Sequence, residues 1–403
     1  MKNILLLASI YPVNREGYVG TNICHYFAKE WVKMGYNVKV LFFWATFPKP
    51  YYWITRPFVS KLRAKTSFAF PTFTFYKTEI YFKDGVEVIL LPVQKILPHE
   101  APSDKKMLSL LGEGVEILEK RHFVPDVITA HFLNPQLKAL HLIKLFYPDI
   151  KKCLVFHRWD KERMQNVYGE KYEDYLKSID LLGFRSSIQR NLFLKSSSLE
   201  KKTFICYSGV PQEYISNRNR TFNKSIRKFV FLGSLYKLKK VDISFKALIR
   251  AYPQKDFQFD VIGDGGEMKK LKALANELGI NKQVIFHGHL MREEAQDILA
   301  KSECFVMVSS PEVLGLVYLE AMSHGLITIG SKGEGIDGLL INGQNGFLVT
   351  PGNVEELANT FIKIKEMPLS QLESISSKAK ETANENTDLK AAENYANMLF
   401  NIE

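Results

Sequence analysis

The sequence contains few cysteines and no hydrophobic run long enough to cross a bilayer. Its four cysteines lie apart in apolar segments, and none has the C-x-x-C or C-x-x-H spacing of a zinc site or a redox motif. We interpret them as reduced, buried thiols and expect a cytoplasmic protein. No apolar run approaches the roughly 18–20 residues of a transmembrane helix. The short run Lys2–Leu7 precedes Tyr11-Pro12 instead of a small-residue cleavage site, which indicates a first β-strand and not a signal peptide.

Two signatures of cofactor and metal chemistry are also missing. Neither half of the chain opens with the G-x-G-x-x-G turn of dinucleotide-binding enzymes, which argues against a nicotinamide-dependent oxidoreductase. No D-x-D triplet occurs, so a metal bound through that signature is not indicated. We therefore expect neither a cofactor nor a metal ion.

The composition is that of a globular protein with an uneven charge. With 403 residues, 46% of them hydrophobic and 24% charged, the chain is long enough for two domains. Residues 1–210 carry a net charge of +12 and the remainder −1, so the overall excess of +11 lies in the first half. Such a field attracts anionic partners: phosphates, acidic lipid headgroups or nucleic acid.

Continuous apolar runs alternate with helical stretches along the chain. This pattern predicts parallel sheets covered on both faces, in an α/β fold of two Rossmann-like, doubly wound domains. We expect these domains at 1–211 and 228–375, a polar and basic linker at 212–227, and a C-terminal helix at 376–403 whose return to the first domain the sequence alone does not show. The predicted strands are Ile4–Leu7, Val38–Phe43, Val86–Leu91, Val127–Ala130, Leu154–Phe156, Phe204–Cys206, Phe229–Leu232, Phe257–Ile262, Val284–Phe286, Phe305–Val308, Ile327–Ile329 and Gly346–Val349.

The strongest functional signal is the segment Ser309–Met322, which follows a predicted strand and opens a helix. Its carboxylates Glu312 and Glu320 would be about 12 Å apart along a continuous helix. That is too far to flank one glycosidic bond, but it suits the two ends of an elongated ligand. If the helix starts near Gly315, the free amides of Gly315, Leu316 and Val317 favour a phosphate between the two acids. A nucleotide sugar has this layout of sugar, diphosphate and ribose.

At this point the chain resembles the retaining glycosyltransferase family four, which has the GT-B fold of two Rossmann-like domains facing a central cleft. The E-x7-E motif of that family matches Glu312 and Glu320, and the following Ala321-Met322 also match, while Leu314 stands where Phe is usual. The resemblance implies that Glu312 contacts the donor sugar and is catalytic, and that Glu320 binds ribose. It also implies a UDP- or GDP-linked donor on the C-terminal domain, an acceptor on the N-terminal domain and a front-face displacement with retention.

The segment Gly233–Asp242 carries a second signal. The family pattern here is G-R-L followed by K-G, in which Arg and Lys grip the diphosphate; Lys239 matches, Ser234 replaces the Arg and Lys240 replaces the Gly. We predict donor binding at Gly233, Ser234 and Lys239, with Lys239 also catalytic. Because Ser234 supplies no charge, a second cation is needed to bind the diphosphate. Lys237 and Lys240 are the candidates.

Three glycine turns resemble further blocks of the family. Gly263 and Gly265 follow a predicted strand, where glycine lets a backbone approach a ligand closely, although Gly-Asp-Gly is also an ordinary tight turn. The blocks Gly330–Gly338 and Asn345–Val349 are similar to the family as well. In the first half, Gly20 lies in the loop after the first strand, where we predict a close approach to the donor phosphate.

Two histidines stand at the carboxyl ends of predicted strands, where ligands of parallel sheets bind. His157-Arg158-Trp159-Asp160 is similar to the H-G-x-D of the family, which implies a catalytic place for His157 near the reacting sugar. Arg158 replaces the usual Gly and is a candidate contact for an acceptor phosphate. His131 has the same placement, and for both residues a structural histidine is the alternative.

Fifteen aromatic residues lie between Phe42 and Phe82, interleaved with basic residues. This mixture suits an anionic membrane surface, although a loop packed under its own domain is an equal alternative. Nucleic acid is not expected, because no RNA-binding motif accompanies the aromatics. We expect a glycan or lipid-linked glycan acceptor in cell-surface polysaccharide synthesis, at the cytoplasmic face of the membrane. A GT-B epimerase or phosphorylase, or a non-catalytic membrane-binding relative, remains an alternative.

Overall fold

The computed structural model describes residues 1–15, 21–55, 58, 73–96, 100–216, 219–223 and 225–401. The chain divides into two compact units. Unit 1 comprises Met1–Arg185, Gln189–Cys206 and the segment from Ala391 onwards, and unit 2 comprises Ser186–Ile188 and Tyr207–Lys390. Within the described residues, no helix is both long and apolar enough to cross a membrane.

Unit 1 is built on an eight-stranded sheet. Its strands are β1 (Asn3–Ala8), β2 (Asn37–Thr46), β3 (Glu79–Lys83), β4 (Val86–Gln94), β5 (Val127–His131), β6 (Lys151–Phe156), β7 (Leu181–Phe184) and β8 (Lys202–Ile205). They lie in the order β3-β4-β2-β1-β5-β6-β7-β8, and all neighbours are parallel except the β3–β4 pair. The sequence did not predict β3, which is a largely exposed edge strand, or β7, which has only four residues.

Helices cover both faces of this sheet. They are α1 (Ile23–Lys33), α2 (Lys49–Thr55), α3 (Asp104–Lys120), α4 (Gln136–Leu142), α5 (Lys161–Tyr168), α6 (Lys171–Lys177) and α7 (Ser187–Ser196). Side chains alternate along β1, so that Leu5 and Leu7 enter one buried layer while Ile4 and Leu6 enter the other. A parallel sheet buried on both faces requires such uninterrupted apolar strands.

Unit 2 contains a six-stranded, wholly parallel sheet. Its strands are β9 (Lys228–Leu232), β10 (Gln258–Ile262), β11 (Val284–Gly288), β12 (Cys304–Val306), β13 (Ile327–Ser331) and β14 (Phe347–Val349). Its helices are α8 (Val241–Ala251), α9 (Met268–Glu277), α10 (Arg292–Lys301), α11 (Leu316–Ser323), α12 (Val354–Glu366) and α13 (Leu369–Glu385). The prediction of two parallel-sheet α/β domains is confirmed.

The strand order shows where each sheet changes direction. In unit 2 the order is β11-β10-β9-β12-β13-β14, so the chain builds outward from β9 on one side and from β12 on the other. In unit 1 the corresponding change lies between β1 and β5. Ligands of open α/β sheets bind outside the carboxyl ends of the strands at such a switch point.

The units are divided differently from the boundaries expected from the sequence. Unit 2 begins at Tyr207, and Phe222 and Ile226, which lie in the segment expected to be a linker, are buried in its core. The last helix, α14 (Asp388–Phe400), packs from Ala391 onwards against the α1 face of unit 1. The indole Nε1 of Trp31 donates a hydrogen bond of 2.8 Å to the carbonyl oxygen of Ala392.

Candidate functional site

An ion pair lies at the switch point of unit 2. Lys239 ends a 3₁₀ turn after β9, and Glu312 lies in the loop after β12, the neighbouring strand. The ammonium Nζ of Lys239 is 2.5 Å from Oε2 of Glu312, and the two side chains are 17% and 14% exposed. Two residues that are 73 positions apart in the sequence therefore meet where a ligand of the sheet would bind.

A second carboxylate holds the loop that carries Glu312. Glu334 accepts hydrogen bonds from Ser310 Oγ, at 2.6 Å, and from the backbone amide of Glu312, at 2.7 Å. The amide of Gly335 in turn donates to the carbonyl oxygen of Glu312, and Ser309 Oγ donates to its carboxylate. These contacts fix the backbone and the side chain of Glu312 before any ligand arrives.

Helix α11 begins directly after this loop. Gly315 is its N-cap and has a φ of +71°, in the left-handed region that favours glycine. A Cβ atom there would lie 2.8 Å from the ring of Tyr318 and 2.9 Å from Cε of Met307, so the position leaves no room for a side chain. The helical hydrogen bonds begin with Tyr318 N donating to Gly315 O, which leaves the amides at 315–317 without a partner inside this helix. The partial positive charge of a helix N-terminus favours an anion at those amides.

Glu320 lies one turn further along α11 and is already engaged by the protein. Its carboxylate accepts hydrogen bonds from Arg292 Nη2, at 3.3 Å, and from Gln296 Nε2, at 3.0 Å, and the residue is only 9% exposed. Burial raises the pKa of the Glu320 carboxyl, and the charge of Arg292 opposes that rise. The Arg292 guanidinium also lies 4.9 Å from the ring centre of Tyr214, within range of a cation–π contact.

The glycine turns after β9 and β10 pack backbone against backbone. A Cβ atom at Gly263 would lie 2.0 Å from the carbonyl oxygen of Gly233, and one at Gly265 would lie 2.5 Å from the carbonyl oxygen of Leu235. The packing of the two turns therefore requires glycine at both positions, whatever they bind. Ser234 is exposed at the tip of the first turn.

Lys240, the residue after Lys239, has a φ of +51°. That left-handed conformation is the one that the glycine of the resembled pattern would adopt without strain. The candidate cation Lys237 is exposed on the same turn.

In unit 1, the two candidate histidines meet at the carboxyl ends of β5 and β6. His131 Nδ1 lies 3.2 Å from His157 Nε2, and the ring of Phe132 stacks on His157 with 3.8 Å between the ring centres. Burial lowers the pKa of His131 to about 3, and the pKa of His157 also lies well below its usual value, with the charge of Arg185 adding to both effects. Both rings are therefore neutral near pH 7, and His157 can donate or accept a hydrogen bond but does not carry a charge there.

The C-terminal unit matches a known family. Residues 215–382 match the family model described as glycosyl transferases group 1. The N-acetyl-alpha-D-glucosaminyl L-malate synthase of Bacillus anthracis is 25% identical over 273 residues, which cover 64% of this chain and 69% of that protein. Residues 215–382 therefore carry the domain of the group 1 glycosyltransferases, and this chain is a glycosyltransferase.

Two further comparisons extend over nearly the whole glycosyltransferase. The amylovoran biosynthesis glycosyltransferase AmsK of Erwinia amylovora is 23% identical over 376 residues, covering 88% of this chain and 89% of its own. The crystal structure of Anabaena HepE in complex with UDP superposes with a TM-score of 0.67 at 19% identity, covering 99% of this chain and 100% of that one. The expectation of a GT-B fold is thereby confirmed.

The structure of this glycosyltransferase adds partners that the sequence analysis did not select. Glu334 lies in the block Gly330–Gly338 that resembles the family, but only the fold brings its carboxylate to Glu312. Nothing in the sequence pattern singled out Arg292, Gln296 or Tyr214, since all three lie outside the segment Ser309–Met322 that carries Glu320. Gly20, a predicted donor contact, lies outside the described residues, as do residues 56–57 and 59–72 of the aromatic segment.

Proposed function

We propose that this glycosyltransferase moves a sugar from a UDP- or GDP-linked donor, with retention of configuration, to a glycan or lipid-linked glycan of the cell surface. The observation that carries the proposal is the Lys239–Glu312 pair beside the N-terminus of α11, at the switch point of the sheet. A cation, a carboxylate and a row of amides converge there, and these are the groups that a diphosphate and a sugar require.

Each group of the site has one role in this proposal. The amides at 315–317 and the ammonium of Lys239 stabilise the leaving diphosphate, so that protein cations and amides replace a metal ion. Glu312 accepts hydrogen bonds from the donor sugar, and Glu320 accepts them from the ribose hydroxyls. An oxygen of the donor phosphate removes the acceptor proton as the new glycosidic bond forms on the same face of the sugar. The roles predicted for His157 and Gly20 stay predictions.

The acceptor class rests on the relatives. AmsK is named for amylovoran biosynthesis, which supports a polysaccharide acceptor, whereas the structure of HepE with UDP supports the nucleotide of the donor. The positive charge of residues 1–210 supports an anionic membrane surface as a further partner, with the enzyme peripheral on its cytoplasmic face. Flotation with vesicles containing phosphatidylglycerol should recover the protein at low salt and lose it as salt is raised. Equal recovery with neutral vesicles would remove the anionic charge of the surface from the proposal.

Donor binding provides the first test. In a thermal-shift screen of UDP- and GDP-sugars, one donor should stabilise the protein by about 2.7 kcal/mol at a hundred times its Kd. With that donor, proton NMR of the first-formed product should show the anomeric configuration of the donor. An inverted product would disprove retention. Conversion of the donor to another nucleotide sugar without transfer to an acceptor would indicate an epimerase. Phosphate-dependent cleavage of a glycosidic bond would indicate a phosphorylase.

The role of Lys239 is tested against an exposed lysine of the same unit that lies outside the predicted site. Lys239→Ala should lower kcat by about 10²–10³-fold, because it removes a preorganised cation from the developing diphosphate charge. Lys282→Ala, at an exposed position between α9 and β11, should leave kcat unchanged and control for the lost charge. Circular dichroism should show both variants folded. A Lys239→Ala enzyme with the turnover of the wild type would exclude this lysine from the mechanism.

A further inference from the structure

Unit 1 contains a small aromatic cavity that none of the roles above uses. Its volume is about 240 Å³, and its lining is Lys49, Tyr52, Trp53, Phe73, Thr74 and Tyr76. The cavity lies between α2 and the described residues that precede β3. Both segments follow the carboxyl end of β2, so the cavity belongs to the edge of the sheet at which ligands bind.

Contacts on the inner side hold the walls of this cavity in place. The hydroxyl of Tyr52 accepts a hydrogen bond of 3.0 Å from the amide of Phe47. Thr46 Oγ1 donates one of 2.8 Å to the carbonyl oxygen of Phe75, which ties the second wall to the end of β2. The ring of Phe73 stacks on buried Trp44 with an interplanar angle of 13°. The shape of the cavity is therefore set by the core of unit 1.

The outer rim, by contrast, presents two aromatic rings to solvent. Trp53 is 81% exposed and Tyr76 is 50% exposed. Two large rings beside one cavity leave apolar surface in water, which costs free energy and commonly marks a binding site. The same lining also carries polar groups: the ammonium of Lys49, the hydroxyls of Thr74 and Tyr76, and the indole N–H of Trp53.

We propose that this cavity is a subsite for one pyranose ring of the acceptor glycan. A sugar ring has an apolar face of C–H groups and a rim of hydroxyls, which match the exposed rings and the polar groups of the lining. The volume lies below the roughly 300–1,000 Å³ of pockets for larger ligands, which suits a single ring. A hydrocarbon chain would cover the ammonium of Lys49 and the hydroxyl of Tyr76 without replacing the hydrogen bonds that these exposed groups make to water. The inference rests on the proposed function, because it assigns the acceptor side of the same transfer.

Fluorine NMR with 5-fluorotryptophan reports on the cavity directly, because the chain has only four tryptophans. Trp53→Phe assigns the Trp53 signal. The probes are methyl α-D-glucopyranoside, methyl β-D-galactopyranoside and methyl α-D-mannopyranoside, each titrated to about 100 mM. We expect at least one of them to shift the Trp53 signal saturably with a Kd on the order of 1–10 mM, as for a ligand of about a dozen non-hydrogen atoms.

Two variants locate the effect. Tyr76→Ala should weaken the binding of that glycoside at least about 5-fold, because it removes one of the two exposed rings. Phe82→Ala removes a 65% exposed ring from β3 of the same unit and should leave the binding unchanged. The three other tryptophan signals show whether each variant is folded.

The proposal is overturned if no glycoside moves the Trp53 signal. It is also overturned if phosphatidylglycerol vesicles move that signal and no glycoside does, because the occupant would then be a lipid. Thermal shift with UDP and GDP on the same samples distinguishes a failure of the sugar subsite from a failure of the proposed glycosyl transfer. If a nucleotide stabilises the protein but no glycoside shifts the Trp53 signal, the sugar subsite is refuted and the proposed transfer stands.

Discussion

At the residue scale, the carboxylate of Glu320 depends on a neighbour that its motif does not contain. Burial alone would favour the protonated form of this group, which binds hydroxyls less well than a carboxylate does. Arg292 supplies the opposing charge at 3.3 Å, and its guanidinium lies 4.9 Å from the ring centre of Tyr214. The ability of Glu320 to serve a ribose should therefore depend on Arg292.

Replacing Arg292 should accordingly make donor binding sensitive to pH. The pKa of Glu320 already lies above its usual value, and Arg292→Ala removes the charge that restrains it, so the pKa should rise further. When the pH is lowered, the Glu320 carboxylate of the variant should take up its proton at a higher pH than that of the wild type. Donor affinity should therefore begin to fall at a higher pH in the variant. Calorimetric titrations with the selected donor between pH 5 and 8 would measure this. Arg292→Lys should restore most of the wild-type profile; an identical profile for Arg292→Ala would contradict the assignment.

At the scale of secondary structure, Arg220 joins the carboxyl ends of two site helices. Its guanidinium donates to the carbonyl oxygens of Ala300 and Ser302, at the end of α10, and of His324, at the end of α11. The last carbonyls of a helix have no partner within it and carry partial negative charge, which an arginine satisfies. Glu320 lies on α11 and both Arg292 and Gln296 lie on α10, so this one side chain helps to keep them in register.

Arg220→Ala should destabilise unit 2 by about 2–3 kcal/mol, because it removes charge-assisted hydrogen bonds and leaves carbonyl groups unpaired. Arg250→Ala is the matched control, since it breaks a salt bridge between side chains that are 56% and 66% exposed. That change should cost no more than about 1 kcal/mol. Hydrogen exchange of unit 2 peptides across a urea series would measure both. Equal losses for the two variants would show that Arg220 acts only as a surface charge.

At the scale of the whole molecule, the two units differ in how they accommodate their ionisable side chains. In unit 2, the charged side chains of the site form ion pairs, Lys239 with Glu312 and Arg292 with Glu320. Unit 1 buries His131 completely, among the rings of Phe27 and Tyr395. In the described part of the protein, Nε2 of this histidine has no hydrogen-bond partner. A histidine buried in this way resists protonation in the folded state but not in the unfolded chain.

Unit 1 should therefore lose stability in mild acid. The unfolded chain takes up a proton at His131 below about pH 6.5, whereas the folded protein does so only at about pH 3. The stability is complete above pH 6.5 and falls between these two values, by about 2 kcal/mol at pH 5 for this one group. His131→Phe should remove that part of the loss, measured by urea unfolding with hydrogen exchange of unit 1 peptides at pH 7.5 and 5. His122→Gln, at an exposed position, should leave the loss as in the wild type.

Much of the fold could be read from local patterns. Apolar runs such as Ile4–Leu7 identified strands, because a strand buried on both faces is apolar at successive positions. The same reasoning failed for β3, whose exposed edge weakens the pattern, and for β7, which is too short to produce one. The segment 212–227 reads as a linker by composition, yet Phe222 and Ile226 are buried in unit 2 because neighbouring elements offer them apolar surface.

The sequence by itself determined which chemistry this chain carries: a strand, a loop with Glu312, a glycine where a helix must start, and Glu320 one turn on. These features depend on backbone geometry within a few residues, so spacing alone reveals them. Only the tertiary structure decided which distant groups meet: Lys239 with Glu312, Glu334 beneath them, Arg292 with Glu320, and His131 with His157. Such meetings follow from the order in which strands pair, and that order is set by long-range packing and not by local periodicity.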